Sequence, residues 1–319
     1  MTKLTEVVDM SIDLGNFMNK GAVMRGGKPF TRCIPNRTQT TNPPPKSKSK
    51  LVEIKGEDRV YIGIGKLNNS KLKHTRPHLL QTVMAMANEL CPSTNRLAIN
   101  LKIGLPYNLY DVDKYVDELK DNFATGVWIE HSVNGVEREI IINKIQVYLE
   151  GYAGFSAIAD KVQGAKRVLQ IDVGGGTIDS CEFTWDKEYE EYDASNPHTI
   201  SQGVISLTDK IAEAINREEN ADITGLMIDE ASRDKEEYIE YGVKKFKITD
   251  YIYAINADIK NIISELIDTH GKLEGYYIVG IGGGYEVFSK LAKESIQATI
   301  VVEEEERFYA NAIGYLLQD

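Results

Sequence analysis

The sequence predicts an α/β protein built from two similar halves, and three observations carry that expectation. Apolar runs of strand length alternate with longer stretches that repeat at helical spacing. The run Ile12-Asp13-Leu14-Gly15-Asn16 is matched by Ile171-Asp172-Val173-Gly174-Gly175: an apolar run, Asp, an aliphatic residue, Gly, then a small or turn-forming residue. The two aspartates are 159 positions apart (172 − 13), almost half of the 319 residues. Each pattern is also followed by a second strand-like run, so each reads as the turn of a β-hairpin. A repeat at half the chain length indicates two related domains, each offering one such hairpin.

In the first half, residues 5–26 read as the two strands of the first hairpin. From Lys28 to about Lys50 the composition shifts through "TRCIPNRTQTTNPPPKSKSK", which reads as a mobile loop, extended near its prolines. "LVEIKGEDRVYIGIG" reads as a hairpin around Gly56-Glu57-Asp58, and "PHLLQTVMAMANEL" as a helix begun by Pro77. A strand, "RLAINLKIGLPYN", is broken by Pro106, and "VDKYVDELKDNF" is an amphipathic helix. A hairpin turning at Asn134-Gly135, a strand to Tyr148 and a helix from about Tyr152 complete this half.

In the second half, Val168, Leu169, Ile171 and Val173 form a strand whose partner runs from Ile178 to Phe183. "TISQGVISLTDKIAEAINRE" passes from strand into helix. "TDYIYAINADIKNIISELIDTHG" is a long helix with Ile259, Ile262, Ile263, Leu266 and Ile267 on a broad apolar face, closed by Gly271. "GYYIVGIGGGYEVFSKLAKES" is a buried strand, a glycine turn and a helix, and "ATIVVEEEERFYANAIGYLLQ" gives a last strand and a last helix.

With 48 acidic and 37 basic residues the formal charge is −11, which argues against a chain-wide grip on nucleic acid. Cys33, Cys91 and Cys181 form no CxxC and cannot all pair, so a reducing, cytoplasmic setting is expected. The start "MTKLTEVVDMSID" carries acids inside its apolar stretch, unlike a secretory leader, and no apolar run is long enough to span a membrane.

Successive glycines let a backbone approach a ligand closely, and a concavity of backbone N–H groups attracts anions, phosphate above all. Asp172, Gly174, Gly175, Gly176 and Thr177 form one such turn; Thr177 either donates its hydroxyl to a phosphate or is a plain strand residue. Asp13, Gly15 and Asn16 form the other, with Lys20 placed to reach a phosphate as a compact charge. Two acidic hairpins facing each other across a cleft suit a hydrated Mg²⁺ between them. Gly282, Gly283 and Gly284 lie between a strand and a helix, where a ring or ribose could approach, or where the chain simply turns tightly. They lack the spacing of a Rossmann fingerprint. Glu150 ends a strand beside Gly151 and is either an orienter of water for attack on a γ-phosphate or an acid at a helix start. His74 and His78 are separated by Pro77 and make a poor metal pair, and no Ser-His-Asp or Cys-His arrangement stands out.

In this order, the hairpin at Asp13, the connector at Glu150, the hairpin at Asp172, the turn at Gly282–Gly284 and the last helix resemble the actin-like ATPase superfamily. Within it the chain looks most like the bacterial ParM family of plasmid-segregating actins, notably in "LPYNLYDVDKYVDELKDNFATGVWIEHSVNGVEREIIINKIQVYLEGYAGF" and "SQGVISLTDKIAEAINRE". Leu149 stands where many relatives have proline, and the third glycine of "GGGT" replaces a threonine seen in some relatives.

The resemblance implies an actin-like fold, two related ribonuclease-H-like α/β domains around a nucleotide cleft. Domain I would be residues 1–160, with a smaller subdomain inserted at about 28–90. Domain II would be 161–319, its last helix, about 307–318, packing back on domain I. Asp13 and Asp172 would lie near a hydrated Mg²⁺. Gly15, Asn16, Lys20, Gly174, Gly175, Gly176 and Thr177 would hold phosphates. Glu150 would place the hydrolytic water. Gly203, Lys210 and Glu213 would flank the ribose and base, with Gly282, Gly283 and Gly284 on the other side. The implied activity is ATP or GTP hydrolysis coupled to a dynamic head-to-tail filament, with DNA engaged only through an adaptor of ParR type and no membrane involved. The alternatives are a sugar-type small-molecule kinase of the same superfamily and a heat-shock chaperone module.

Overall fold

The structure, a computed structural model, describes residues 7–68, 70, 72–291 and 302–318. The chain divides into two compact units, Met1–Ala157 together with Tyr309–Asp319, and Ile158–Phe308.

The first unit starts with β1 (Val7–Leu14), β2 (Met18–Arg25) and β3 (Lys28–Pro35), an antiparallel meander. The short strands β4 (Arg37–Gln39), β5 (Lys50–Ile54), β6 (Val60–Ile62) and β7 (Lys66–Leu67) follow, then helix α1 (Leu79–Leu90). Next come β8 (Arg96–Leu105), α2 (Tyr107–Tyr110), α3 (Asp113–Lys120), β9 (Trp128–Val133), β10 (Val136–Leu149) and the single turn α4 (Tyr152–Phe155). The strands form one sheet in the order β3-β2-β1-β8-β10-β9-β5-β6-β4-β7, with β8 parallel to both β1 and β10.

The second unit has β11 (Arg167–Val173), β12 (Ile178–Asp186), β13 (Glu191–Ile200), α5 (Val204–Glu219), α6 (Gly225–Arg233) and the hairpin β14 (Tyr238–Tyr241)/β15 (Lys244–Lys247). These are followed by α7 (Asn256–His270), β16 (Tyr277–Ile281) and α8 (Tyr285–Leu291). Helix α9 (Glu304–Leu317) enters the first unit at Tyr309.

The sheet order β13-β12-β11-β16 repeats β3-β2-β1-β8 strand for strand, with two antiparallel pairings and then a parallel one. The repeat seen between Asp13 and Asp172 is therefore a repeat of topology as well as of sequence.

From Met10 to Leu14, β1 is buried on both faces, as a strand beside a parallel neighbour and under helices must be. Met10, Ile12 and Leu14 belong to the large core that includes Val83, Met86 and Leu90 of α1. The alternate residues point the other way. Ser11 donates to the carbonyl of Ala312 in α9, and Ala22 packs against Ala312 and Leu316. α9 fits this closely because Gly104 and Gly314 have no side chain: a Cβ at either would collide with Tyr315 or with the carbonyl of Ala153. In the second unit Leu169, Ile171, Val173, Ile211, Ile262 and Leu266 share one core.

Several expectations are corrected. Residues Lys28–Pro35 are a strand rather than part of a mobile loop; β3 is an edge strand, where Pro29 and Pro35 leave no inner ladder position without a donor. The irregular segment is confined to residues 40–49. α1 begins at Leu79, preceded by His78 in the left-handed region (φ 60), not at Pro77. The helix expected from Tyr152 lasts one turn before a 3₁₀ turn at Ala159–Val162. The long second-half helix is 3₁₀ over Ile248–Ile255, and Ile267 is exposed rather than on the buried face. The strand expected before the last helix falls largely outside the described residues. The strand expected from Thr199 is the end of β13, which begins at Glu191, while α6 and the β14–β15 hairpin have no counterpart among the sequence expectations.

Candidate functional site

Asp13 lies near the end of β1, and the antiparallel register sets Lys20 of β2 directly opposite, its ammonium 3.1 Å from Asp13 Oδ2. The turn between them is tight: Gly15 N donates to Asp13 O at 3.0 Å, and a Cβ at Gly15 would strike the carbonyl of Met18. Two side chains from elsewhere pin this turn. Asn36 donates to the carbonyls of Gly15 (2.8 Å) and Asn16 (3.2 Å). Arg76 donates to the carbonyls of Leu14 (2.6 Å) and Gly15 (3.2 Å) and to Asn16 Oδ1 (2.8 Å).

Lys73, in the 3₁₀ turn Lys73–Thr75, extends the cluster. Its ammonium pairs with Glu150 and lies 3.9 Å from Asp13 Oδ1. Glu150 follows β10 directly. Its backbone N–H donates to Leu105 O at 2.9 Å, and the next N–H, that of Gly151, donates to Asn311 Oδ1 of α9 at 3.0 Å. The connector is thus fixed from both sides.

Asp13, Lys20, Lys73, Arg76 and Glu150 are all buried. Three cations meet two carboxylates away from bulk water, where charge interactions are strongest. Burial alone would raise the Asp13 carboxyl, yet Lys20, Lys73 and Arg76 hold it below the usual carboxylate range. Burial raises Glu150, reinforced by Asp13 and opposed by Lys73 and Arg76. Burial also lowers the Arg76 guanidinium to about 10, against the pull of Glu150 and Asp13. Such a cluster gains from an incoming anion.

In the second unit Asp172 stands near the end of β11 with Asp179 of β12 directly opposite, both buried. Asp179 therefore occupies the place that Lys20 holds in the first unit, seven residues past the aspartate in each case (20 − 13 and 179 − 172). Thr177 and Thr199 donate to Asp179, so Thr177 serves the carboxylate within the hairpin.

The glycine segments converge here. Val204 N and Ile205 N, at the start of α5, donate to the carbonyls of Gly174 (3.2 Å) and Gly175 (2.9 Å). A Cβ at Gly203 would lie 2.6–2.7 Å from those same two oxygens. Gly284 N donates to Val173 O at 2.8 Å. Gly282 adopts φ +86, and a Cβ there would collide with Asp172 Oδ1. Arg233, held by Asp229 at 2.7 and 3.0 Å, donates to Gly283 O.

The structure thus brings Gly15, Asn16, Lys20 and Glu150 to Asp13 in one unit, and gathers Asp172, Gly174, Gly175, Gly203, Gly282, Gly283 and Gly284 in the other, with Gly176 and Thr177 completing the turn. Lys210 and Glu213 lie on the exposed side of α5. Lys210 pairs with Asp258 at 2.7 and 2.8 Å, and Asp258 also accepts from Gln202, the residue before Gly203. Lys73, Arg76, Asn36 and Asp179 were missed by sequence reasoning. Asp179 had a signal, the shared seven-residue spacing; the other three had none.

The architecture of this chain is found again in solved structures. The archaeal actin homologue Ta0583 matches with a TM-score of 0.73 at 18% identity, covering 97% of this chain and 98% of that one. The chain has the actin-like fold. The ParM of a 15-stranded filament from Clostridium botulinum matches with a TM-score of 0.75 at 17% identity, covering 98% of both chains. Bacillus thuringiensis ParM with ADP gives 0.62 at 17% identity, again over 98% of both. No protein-family model and no curated protein sequence matches this actin-like chain. Among the described residues, no helix is long and apolar enough to cross a membrane.

Proposed function

We propose that this chain is a ParM-like, nucleotide-dependent polymerising ATPase or GTPase. It would form dynamic head-to-tail filaments that disassemble after hydrolysis and segregate plasmid DNA through a ParR-type adaptor. The observation that carries the reading is the contrast between two equivalent hairpins. The one at Asp13 lies in a buried cluster with Lys20, Lys73 and Arg76, and the one at Asp172 faces a second carboxylate, Asp179. Phosphate suits the first and a divalent cation the second.

Asp172 and Asp179, opposite each other on β11 and β12, supply hard carboxylate oxygens that would suit Mg²⁺, a cation that keeps several of its waters. When bound, Mg²⁺ would neutralise charge on the β- and γ-phosphates. Lys20, Lys73 and Arg76 would draw phosphate towards the Gly15 turn, and the 174–177 turn of the second unit would present N–H groups to phosphate in its own right. Lys73 holds Glu150 by an ion pair, so a phosphate that takes over the Lys73 ammonium would release the Glu150 carboxylate. Glu150, its proton affinity already raised by burial, would then orient a water for in-line attack. Gly203 and Gly282–Gly284, packed against the Asp172 turn, would hold that turn in shape beside the nucleoside. Filament formation and ADP binding are features of the neighbours with this fold, and they support the same reading. An open filament requires a heterologous contact that does not close on itself.

Right-angle light scattering after addition of Mg-ATP or Mg-GTP, with phosphate release followed in parallel, tests the proposal. A rise that decays as phosphate appears is the expected result. Steady scatter without turnover overturns it.

A further inference from the structure

The charge of this chain is strongly uneven. Residues 28–68 carry nine basic and three acidic side chains, whereas residues 218–240 carry nine acidic and two basic ones. Both stretches depart far from the mean of a chain whose net charge is −11. We propose that the basic loop at Pro43–Lys48 of one copy docks into an acidic groove on the second unit of another copy. This deepens, and rests on, the reading of the chain as a self-assembling protein.

The groove has a volume of about 650 Å³ and lies between α6 and the β14–β15 hairpin. Its floor is apolar, with Ile239 buried and Met227 half-buried, and the exposed ring of Tyr238 stands on its wall. Glu230, Asp234, Glu236 and Glu237 line it, all exposed and none in an ion pair among the described residues. Lys245, the cation on the wall, is already engaged by Glu240 at 2.5 Å. Uncompensated carboxylates around an apolar floor fit a ligand that is basic and partly apolar.

The loop matches that description. Pro43, Pro44 and Pro45 supply a stiff apolar surface of the kind that packs on an aromatic ring. Lys46 and Lys48 are exposed and form no ion pair among the described residues; of the nine basic side chains in 28–68, only Lys50 forms one, with Glu89. The loop is also set in shape. Asn42 Oδ1 accepts from Arg59 (3.2 Å) and Tyr61 (2.9 Å), and Ser49 N donates to Ser47 Oγ (3.1 Å). A pre-ordered loop loses little entropy on docking. Since loop and groove are different surfaces, the contact is heterologous, the kind that propagates into an open filament when its rotation does not close a ring. Opposite charges would also speed encounter and make it sensitive to salt.

The test mixes ¹⁴N- and ¹⁵N-labelled full-length protein with Mg-ATP or Mg-GTP, treats it with a carbodiimide that joins amines to carboxylates directly, and maps the products by mass spectrometry. Links of mixed isotope between 41–50 and 230–240 are expected. Light scattering is read on the same samples. The variants Lys46→Glu/Lys48→Glu and Glu236→Lys/Glu237→Lys should each lose the links and raise the critical concentration for assembly at least tenfold. An equimolar mixture of one variant with the other, or a chain carrying all four changes, should recover the links. Links without assembly would keep the docking contact and remove the filament reading. Assembly without links, or variants that assemble like the parent, would overturn the docking and leave the filament reading standing; absence of both removes both. If links are absent and duplex DNA is retarded by the parent but not by Lys46→Glu/Lys48→Glu, the basic strip serves nucleic acid and the proposal falls.

Discussion

Lys73 and Glu150 lie 77 residues apart in the chain and share a buried ion pair beside Asp13. Neither charge can lose its partner cheaply. Removing one member of a buried pair leaves the other uncompensated and costs about 3–5 kcal/mol. Lys73→Met should therefore destabilise the first unit by roughly that amount. Adding Glu150→Gln to Lys73→Met should recover a large part of the loss. Urea denaturation of the two single variants and the double variant gives the coupling directly; additive effects would show that the pair contributes nothing as a pair.

The same pair bears on turnover. Under the proposed mechanism, Glu150→Ala still binds nucleotide and still assembles, since the Gly15 turn and Lys20 are untouched. Loss of the group that orients water should slow phosphate release by about 10²–10⁴-fold, and scatter should decay correspondingly late. Phosphate release at the parental rate would remove Glu150 from the mechanism.

Gly282 and Gly164 share φ +86, but a Cβ at Gly282 would strike Asp172, whereas one at Gly164 meets nothing within 4 Å. Gly164→Ala then measures the cost of the left-handed backbone alone, about 1–2 kcal/mol. Gly282→Ala should cost more and should also displace the Asp172 carboxylate, weakening binding of a fluorescent nucleotide at least tenfold. Equal effects of the two substitutions in denaturation and nucleotide titration would show that the approach to Asp172 is unimportant.

A buried network in the second unit sets a pH dependence. His270 Nε2 lies 2.8 Å from Ser180 Oγ and its Nδ1 3.0 Å from Glu182 Oε1, while Asn196 and Tyr276 donate to the same carboxylate at 2.9 and 2.7 Å. Burial lowers the His270 pKa, with His198 adding to this and Glu182 opposing it. Burial would raise Glu182, but its hydrogen bonds from Asn196, His270 and Tyr276 bring it below the ordinary value. In both cases the unfolded chain binds protons more readily, so stability falls as pH falls. For His270 the loss begins near the unfolded value of 6.5 and continues down to its folded pKa; for Glu182 it lies below 4.5. The urea midpoint should drop between pH 7.5 and 5.5, and His270→Gln should flatten that slope. An unchanged slope would assign the dependence to other groups.

Much of this site can be read from residues close together in sequence. Asp13 with Gly15, and Asp172 with its glycines, are visible because a strand end, a carboxylate and a tight turn are all local. Their recurrence at half the chain length indicates the duplicated topology. The β-strand at Lys28–Pro35 was obscured by its prolines, which argue for a loop in isolation and are tolerated only because the strand lies at the sheet's edge.

The sequence by itself determined the two glycine hairpins, their aspartates and the α/β alternation, since each depends on contacts a few residues apart. Tertiary structure alone completed the charge around the first hairpin. Lys73 and Arg76, in "KLKHTRPH", read locally as solvated loop cations, and only the fold carries them to Asp13 and Glu150 and buries all four. Coulomb interactions become strong when groups far apart in sequence leave water together. That step depends on how the strands assemble rather than on any stretch of residues within them.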